Sequence, residues 1–265
     1  MENFRIIESS PILKPYVHHY WSLRAETGNP TGDRVIPTGS INLIFHRANS
    51  LKSTTNGLLQ PKAFVSGLSI NYSDVVSMGT LNMLVVVFRP MGIAPFLATP
   101  LNEFRNMNVP VYDIGDAGLK ELADRVLDEA SDEKAVAHIE KFLIARLPQL
   151  ENYNYPRINA VLHEINKNSI INVSNAARIA CLSPKQFKRV FSAQVGIRPK
   201  DFMRIVRFQR ALYLLQTDPG ITFAQLAAGT GYFDQAHMIR EFREFSGYTP
   251  VEYLSTCVPH SDYFS

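Results

Sequence analysis

The sequence predicts an α+β chain of two domains: an N-terminal β-rich barrel or sandwich followed by two helices, then an all-α C-terminal domain in which a long helix joins two helix-turn-helix units. Three observations carry this prediction. The 265 residues suffice for two domains, each with its own core. Between Phe4 and Val111 the chain offers short β-rich runs broken by Gly, Pro and Asn. Beyond residue 170 one stretch repeats itself about 50 residues later. The expected domains are 1–149 and 156–257, joined by a short polar hinge from Pro148 to Pro156.

A hydrophobic share of 46% against 19% charged residues excludes wholesale disorder. The stretch at Met1 has no apolar run suited to a signal peptide, and the longest apolar run, Met83 to Phe88, is of strand length. A cytoplasmic protein with no membrane partner is therefore expected. Two cysteines, Cys181 and Cys257, are too few for a disulfide framework and lack metal-ligand spacing, so both read as small structural residues.

In the first domain the strand candidates are Tyr16 to Leu23, Arg34 to Ile36, Ile41 to Arg47, Phe64 to Ser66 and Leu81 to Phe88. Asn29-Pro30, Pro37-Thr38-Gly39 and Arg89-Pro90-Met91-Gly92 read as turns between them. The β-region ends near Pro110. Two helices follow, Leu119 to Ala130 and Asp132 to Leu147, with Ser131 placed to cap the second. Their apolar stripes are Leu119, Leu122 and Val126, then Val136, Ile139 and Leu143. Such stripes serve equally for packing on the sheet and for a dimer face.

In the second domain, INVSNAARIACLSPKQFKRVFSAQVGIRPKDF from Ile171 returns as ITFAQLAAGTGYFDQAHMIREFREFSGYTPVEY from Ile221. Ile171, Ala177, Phe191, Gly196, Pro199 and Phe202 recur as Ile221, Ala227, Phe242, Gly247, Pro250 and Tyr253, with one extra residue in the second turn. Each copy reads as helix, turn, helix. The first has helices Val173 to Ala180 and Pro184 to Gln194, with Ser183 as N-cap, Pro184 at the first helical position and Gly196 as stop. The second has Ile221 to Ala228, a turn at Gly229 to Phe233, and a second helix capped by Asp234. At 100° per residue the second helices divide into an inner side (Phe187, Val190, Phe191; Met238, Phe242, Phe245) and an outer one. The outer sets are Lys185, Lys188, Arg189 and Ser192, then Ala236, Ile239, Arg240 and Arg243. Between the copies a helix from Pro199 to Gln216, about 27 Å long, sets Phe202, Ile205, Val206, Phe208, Leu212 and Leu215 on one side and Arg204, Arg207 and Arg210 on the other.

The net charge of +3 is unevenly placed. Residues 1–149 hold 14 basic against 15 acidic side chains, residues 150–265 hold 13 against 9, and from Ser174 to Arg210 nine bases face one acid, Asp201. A polyanion is the natural partner.

The AARIACLSPKQFKRVF unit, the RPKDFMRIVRFQRALYLL helix and the GYFDQAHMIREFREFSGYTPVEY unit resemble the DNA-binding domain of the AraC/XylS transcription regulators over roughly Ile158 to Leu254. The resemblance implies double-stranded DNA as partner, with Lys185, Lys188 and Arg189 facing one major groove and Gln235, Ala236, Ile239 and Arg240 the next. This chain departs from the common pattern with Ala236 in place of Ser, Met238 in place of Phe, and Ile239 on the groove face. Tyr16 to Trp21, Val35 to Phe45 and Phe88 to Gly92 resemble an N-terminal domain of one branch, with no role to carry over. In the wider family a cupin-like N-terminal domain that senses a small effector and forms a homodimer is common, and RNA polymerase is the implied protein partner. A regulatory protein in place of a small effector is an alternative, and the sequence names neither an effector nor a cofactor.

The rival reading is a metal-dependent cupin-like enzyme with a helical appendage. It needs converging imidazoles and carboxylates. His18, His19 and His46 are the β-domain histidines, and His18 and His19, being adjacent on a strand, are expected to point to opposite faces. No metal site, phosphate loop, nucleophile elbow or paired-carboxylate motif is read, so no catalytic residue is assigned.

Overall fold

The computed structural model describes residues 3–147, 154–167 and 171–256. Most of the expected hinge, and Cys257, lie outside them. The chain divides into two compact units, residues 1–33, 40–68 and 74–152 in the first, residues 34–39, 69–73 and 153–265 in the second.

The first unit is built on a seven-stranded sheet whose strands are β1 (Asn3–Glu8), β2 (Val17–Val35), β3 (Asn42–His46), β4 (Lys52–Ser53), β5 (Ala63–Ser66), β6 (Ser73–Phe88) and β7 (Asn108–Pro110). Their order is β1-β2-β6-β3-β5-β7, with β4 on β6. β3 runs antiparallel to both β5 and β6, in registers that set Leu43 opposite Val65 and Val86. The run from Met83 to Phe88 is buried along its whole length, as a central strand covered on both faces must be. Two expectations need correction. Asn29-Pro30 lies inside β2 and not in a turn; residues 28–33 are all exposed, so the missing proline N–H leaves no buried acceptor wanting. β6 begins eight residues before the expected Leu81, because in its first half Val75, Val76 and Met78 are interspersed with Ser, Asp, Gly and Thr and form no long apolar run. The turn at Gly92 is as expected, and a Cβ there would come within 2.0 Å of the Tyr16 carbonyl oxygen.

Two helices complete this unit, α1 (Ala117–Asp128) and α2 (Asp132–Arg146). Asp116 caps α1, and Ser131 caps α2 by accepting from the Lys134 amide. All six stripe residues are buried within the unit, which consumes them in its own packing. A buried polar cluster fixes α2: Asp132 accepts from Ser22 (2.8 Å) and Arg24 (3.0 Å) and pairs with the buried guanidinium of Arg47. Burial alone would raise the Asp132 carboxyl, but the hydrogen bonds from Arg47, Ser22 and Arg24 hold it below its ordinary value. The strand alternation does expose His18 and bury His19, yet their Nδ1 atoms meet at 2.5 Å, so adjacency on the strand does not keep the two rings apart.

The second unit holds seven helices among the described residues: α3 (Tyr155–Lys167), α4 (Val173–Ile179), α5 (Pro184–Val195), α6 (Pro199–Thr217), α7 (Phe223–Thr230), α8 (Gln235–Ser246) and α9 (Pro250–Thr256). Two aromatic clusters share the axis of α6. Near its start Phe202 packs edge-on to Phe191, which touches Phe187. Further along, Phe208 packs on Phe242 and Phe245, and Phe242 on Tyr253. Within this unit Arg34 lies over the rings of Tyr72 and Tyr248 and donates to the Ser246 carbonyl at the end of α8.

Candidate nucleic-acid interface

The repeat read in the letters is a repeat of environment. Residues 171–180 and 221–230 have the same sequence of exposed, half-buried and buried positions, one by one. Asn172 and Thr222 cap the first helices, α4 and α7. The chain then turns through a left-handed residue, Cys181 at φ 52° in the first copy and Gly231 at φ 82° in the second. Ser183 starts α5 with a reciprocal capping box through Gln186, and Asp234 starts α8 by accepting from the His237 amide. Left-handed Gly196 and Gly247 end them. Cys181 is therefore no buried structural thiol. It is exposed, and it occupies a conformation that glycine fills in the other copy.

Helix α5 presents Lys185, Lys188 and Arg189 fully outward and Ser192 half-exposed, while Phe187, Phe191 and Val195 face inward. Helix α8 presents Gln235, Ala236, Arg240 and Arg243 outward and Ile239 half-exposed, over buried Met238, Phe242 and Phe245. Arg243 is partly engaged by Glu252 at 3.6 Å. Between the two helices lies an open groove of about 1160 Å³. Of the nine expected residues it collects Lys188 and Arg240; the others lie outside its lining.

The groove has a feature that the sequence reading missed. Its three carboxylates are matched locally: Asp201 by Arg198, Glu241 by Arg204 and Arg207, Glu244 by Arg204. Lys188, Lys200 and Arg240 also line it, and none of them has an ion pair among the described residues. The arginine stripe of α6 thus needs correction. Arg204 and Arg207 are mostly buried and are spent on Glu241, which accepts from them at 2.6 and 2.8 Å. Burial pushes the Glu241 carboxyl up, but those two guanidinium groups more than offset this and hold it below its ordinary value. Lys200 follows directly after Pro199 at the start of α6 and would have been found by asking which cations lack an acid one turn away.

Among the described residues no group of three or more His, Cys, Asp or Glu side chains is placed to hold a metal ion. No described helix is long and apolar enough to cross a membrane.

Comparison with known proteins places both units. Residues 5–110 match a family described as a domain of unknown function (DUF6597), and residues 176–256 match one described as a helix-turn-helix domain. An uncharacterized HTH-type transcriptional regulator of Haemophilus influenzae is 30% identical over 81 residues, 31% of this chain and 27% of that protein. The chain thus spans about a quarter of that relative's length. The probable transcriptional regulator LumQ of Photobacterium leiognathi is 26% identical over 184 residues, covering 66% of this chain and 73% of its own. A solved structure of ToxT from Vibrio cholerae aligns with 96% of this chain and 98% of its own at 10% identity, with a TM-score of 0.48. Residues 176–256 accordingly belong to a helix-turn-helix domain family, and they follow an N-terminal domain whose family has no assigned role.

Proposed function

We propose that this chain is a sequence-specific DNA-binding transcription regulator of the AraC/XylS type, each chain reading two adjacent major-groove half-sites. One observation supports this above the rest: two helix-turn-helix copies share one frame, and each turns an exposed cationic helix face outward. Helix α6, with 19 residues and a length of about 28 Å, is a spacer suited to half-sites about 34 Å apart, one turn of duplex. In this reading Lys185, Lys188, Arg189 and Ser192 serve the first half-site, and Gln235, Ala236, Ile239, Arg240 and Arg243 the second. Ala236 and Ile239 meet thymine methyl groups, and Arg240 reads a guanine or a phosphate. Residues 156–257 carry DNA binding, while residues 1–149 sense an effector, small molecule or protein, or form a homodimer. The complex places RNA polymerase or blocks it, in the cytoplasm.

The test is selection of duplexes by the full chain from a random-sequence pool. A bipartite site with its halves one helical turn apart is expected. A chain that shows no preference over bulk genomic competitor at low ionic strength would overturn the proposal.

A further inference from the structure

The two helix-turn-helix copies correspond residue for residue except at one position. Cys181 and Gly231 are the left-handed residues. Leu182 and Tyr232 follow them, and their amides donate to the carbonyls of Ala177 and Ala227, each at 3.0 Å. Ser183 and Asp234 are the N-caps. Ser183 comes directly after Leu182, whereas Phe233 stands between Tyr232 and Asp234. The inserted residue is thus a phenylalanine, and 92% of it is exposed.

Its exposure is not the ordinary result of its position. An apolar residue just before an N-cap commonly staples onto the fourth helical residue, here Met238. Met238 is fully buried without it. Tyr232 fills the interior in its place, beneath Arg207 at 4.6 Å and edge-on to His237 at 5.3 Å. The Phe233 amide lies 3.5 Å from His237 Nδ1, so the turn that projects the ring is fixed at both sides.

The residue types beside it complete the contrast. Where α5 presents Lys185, Lys188 and Arg189, the matching positions of α8 are Ala236, Ile239 and Arg240. The second copy therefore offers Phe233, Ala236 and Ile239 beside Arg240, with Arg243 one turn further on, where the first offers three cations in its first turns. The N-terminal end of a recognition helix is the part that reaches the base edges, and the thymine C5-methyl is the apolar group presented there.

We infer that Phe233 is an additional reading residue for the second half-site, packing its ring against a thymine methyl at the mouth of the major groove. The two half-sites are then held by different forces, the first by cations on phosphates and bases, the second in good part by apolar contact. This rests on the DNA-binding reading above.

The full chain, with a duplex it selects from a random-sequence pool, provides the test by fluorescence anisotropy over a salt series. Phe233→Ser is expected to bind about tenfold more weakly, the scale of one apolar side chain losing its cover. The slope of log Kd against log salt stays unchanged, because an apolar contact releases no counterion. Phe233→Leu retains most of the affinity. Deoxyuridine in place of thymine in the second half-site weakens the parent chain similarly and leaves Phe233→Ser no weaker. If Lys188→Ala binds more weakly and Phe233→Ser binds like the parent, the Phe233 assignment falls while the DNA reading stands. Unchanged DNA affinity with lost transcription in a reconstituted assay would move the ring to a protein partner and equally overturn it. A parent chain without sequence preference overturns both.

Discussion

At the scale of single residues, two side chains of this protein sit in states that their free forms do not favour. His46 is buried, with Nε2 at 3.0 Å from the Gln60 side-chain oxygen and Nδ1 without a partner. Burial lowers its pKa to about 4, with Lys62 adding to the effect and the Gln60 bond opposing it. Between about pH 4 and the unfolded value of about 6.5 only the unfolded chain takes up the proton, so stability is complete above that window and falls through it. The loss amounts to about 3 kcal/mol for this ring. His46→Gln is expected to flatten stability against pH between those limits, as read by urea unfolding at a series of pH values. His19, lowered to about 4 by burial and then by His18, steepens the same limb. Cys181 is the second case. At φ 52° it bears the steric cost that Gly231 avoids, so Cys181→Gly is expected to stabilise the protein by about 0.5–1 kcal/mol, visible as a higher Tm.

At the scale of elements, α6 is the part on which the helix-turn-helix unit depends. It contributes Phe202 to one aromatic cluster and Phe208 to the other, and it is pinned to α8 by the Glu241 pairings. Removing the carboxylate leaves the mostly buried Arg207 guanidinium without its acid and Arg204 with Glu244 alone. Glu241→Ala is therefore expected to cost about 3 kcal/mol in chemical denaturation. Because the folded carboxyl sits below its unfolded value, this contribution is present above about pH 4.3 and is lost as pH falls through the folded value. The same cluster shows what local pattern can conceal. Arg204, Arg207 and Arg210 look like one cationic stripe by spacing, but the acid that engages the first two lies 37 and 34 residues away in sequence. Helix α3 is legible in the sequence: buried Ile158, Val161, Leu162 and Ile165 keep helical spacing.

At the scale of the whole molecule, charge separates the halves. The C-terminal 116 residues hold 13 bases against 9 acids, and the cations left outward without an ion pair among the described residues include Lys185, Lys188, Arg189, Lys200, Arg210 and Arg240. DNA affinity should therefore fall steeply with salt. Lys188→Ala is expected to weaken binding to every duplex alike and to lower the salt slope by about 0.9, one phosphate's worth. Arg189→Ala is expected to cost about 1–3 kcal/mol on the selected duplex and to relax preference at a single base pair, as competition among single-position variants would show. An Arg189 variant with unchanged preference would reassign that residue to the backbone.

The letters alone determined the repeat, the caps at Ser183, Ser131 and Asp234, the glycine stops, and the inner and outer faces of α5 and α8. These depend on neighbours within a few positions, where capping chemistry and the 3.6-residue period act directly. Tertiary structure decided the rest: which arginines stay free and which are spent on Glu241, how far β2 and β6 extend, and that Phe233 stands outside the packing while Tyr232 fills it. Pairing across dozens of residues and competition for one interior site are set by which groups fold against each other, and no local period records that outcome.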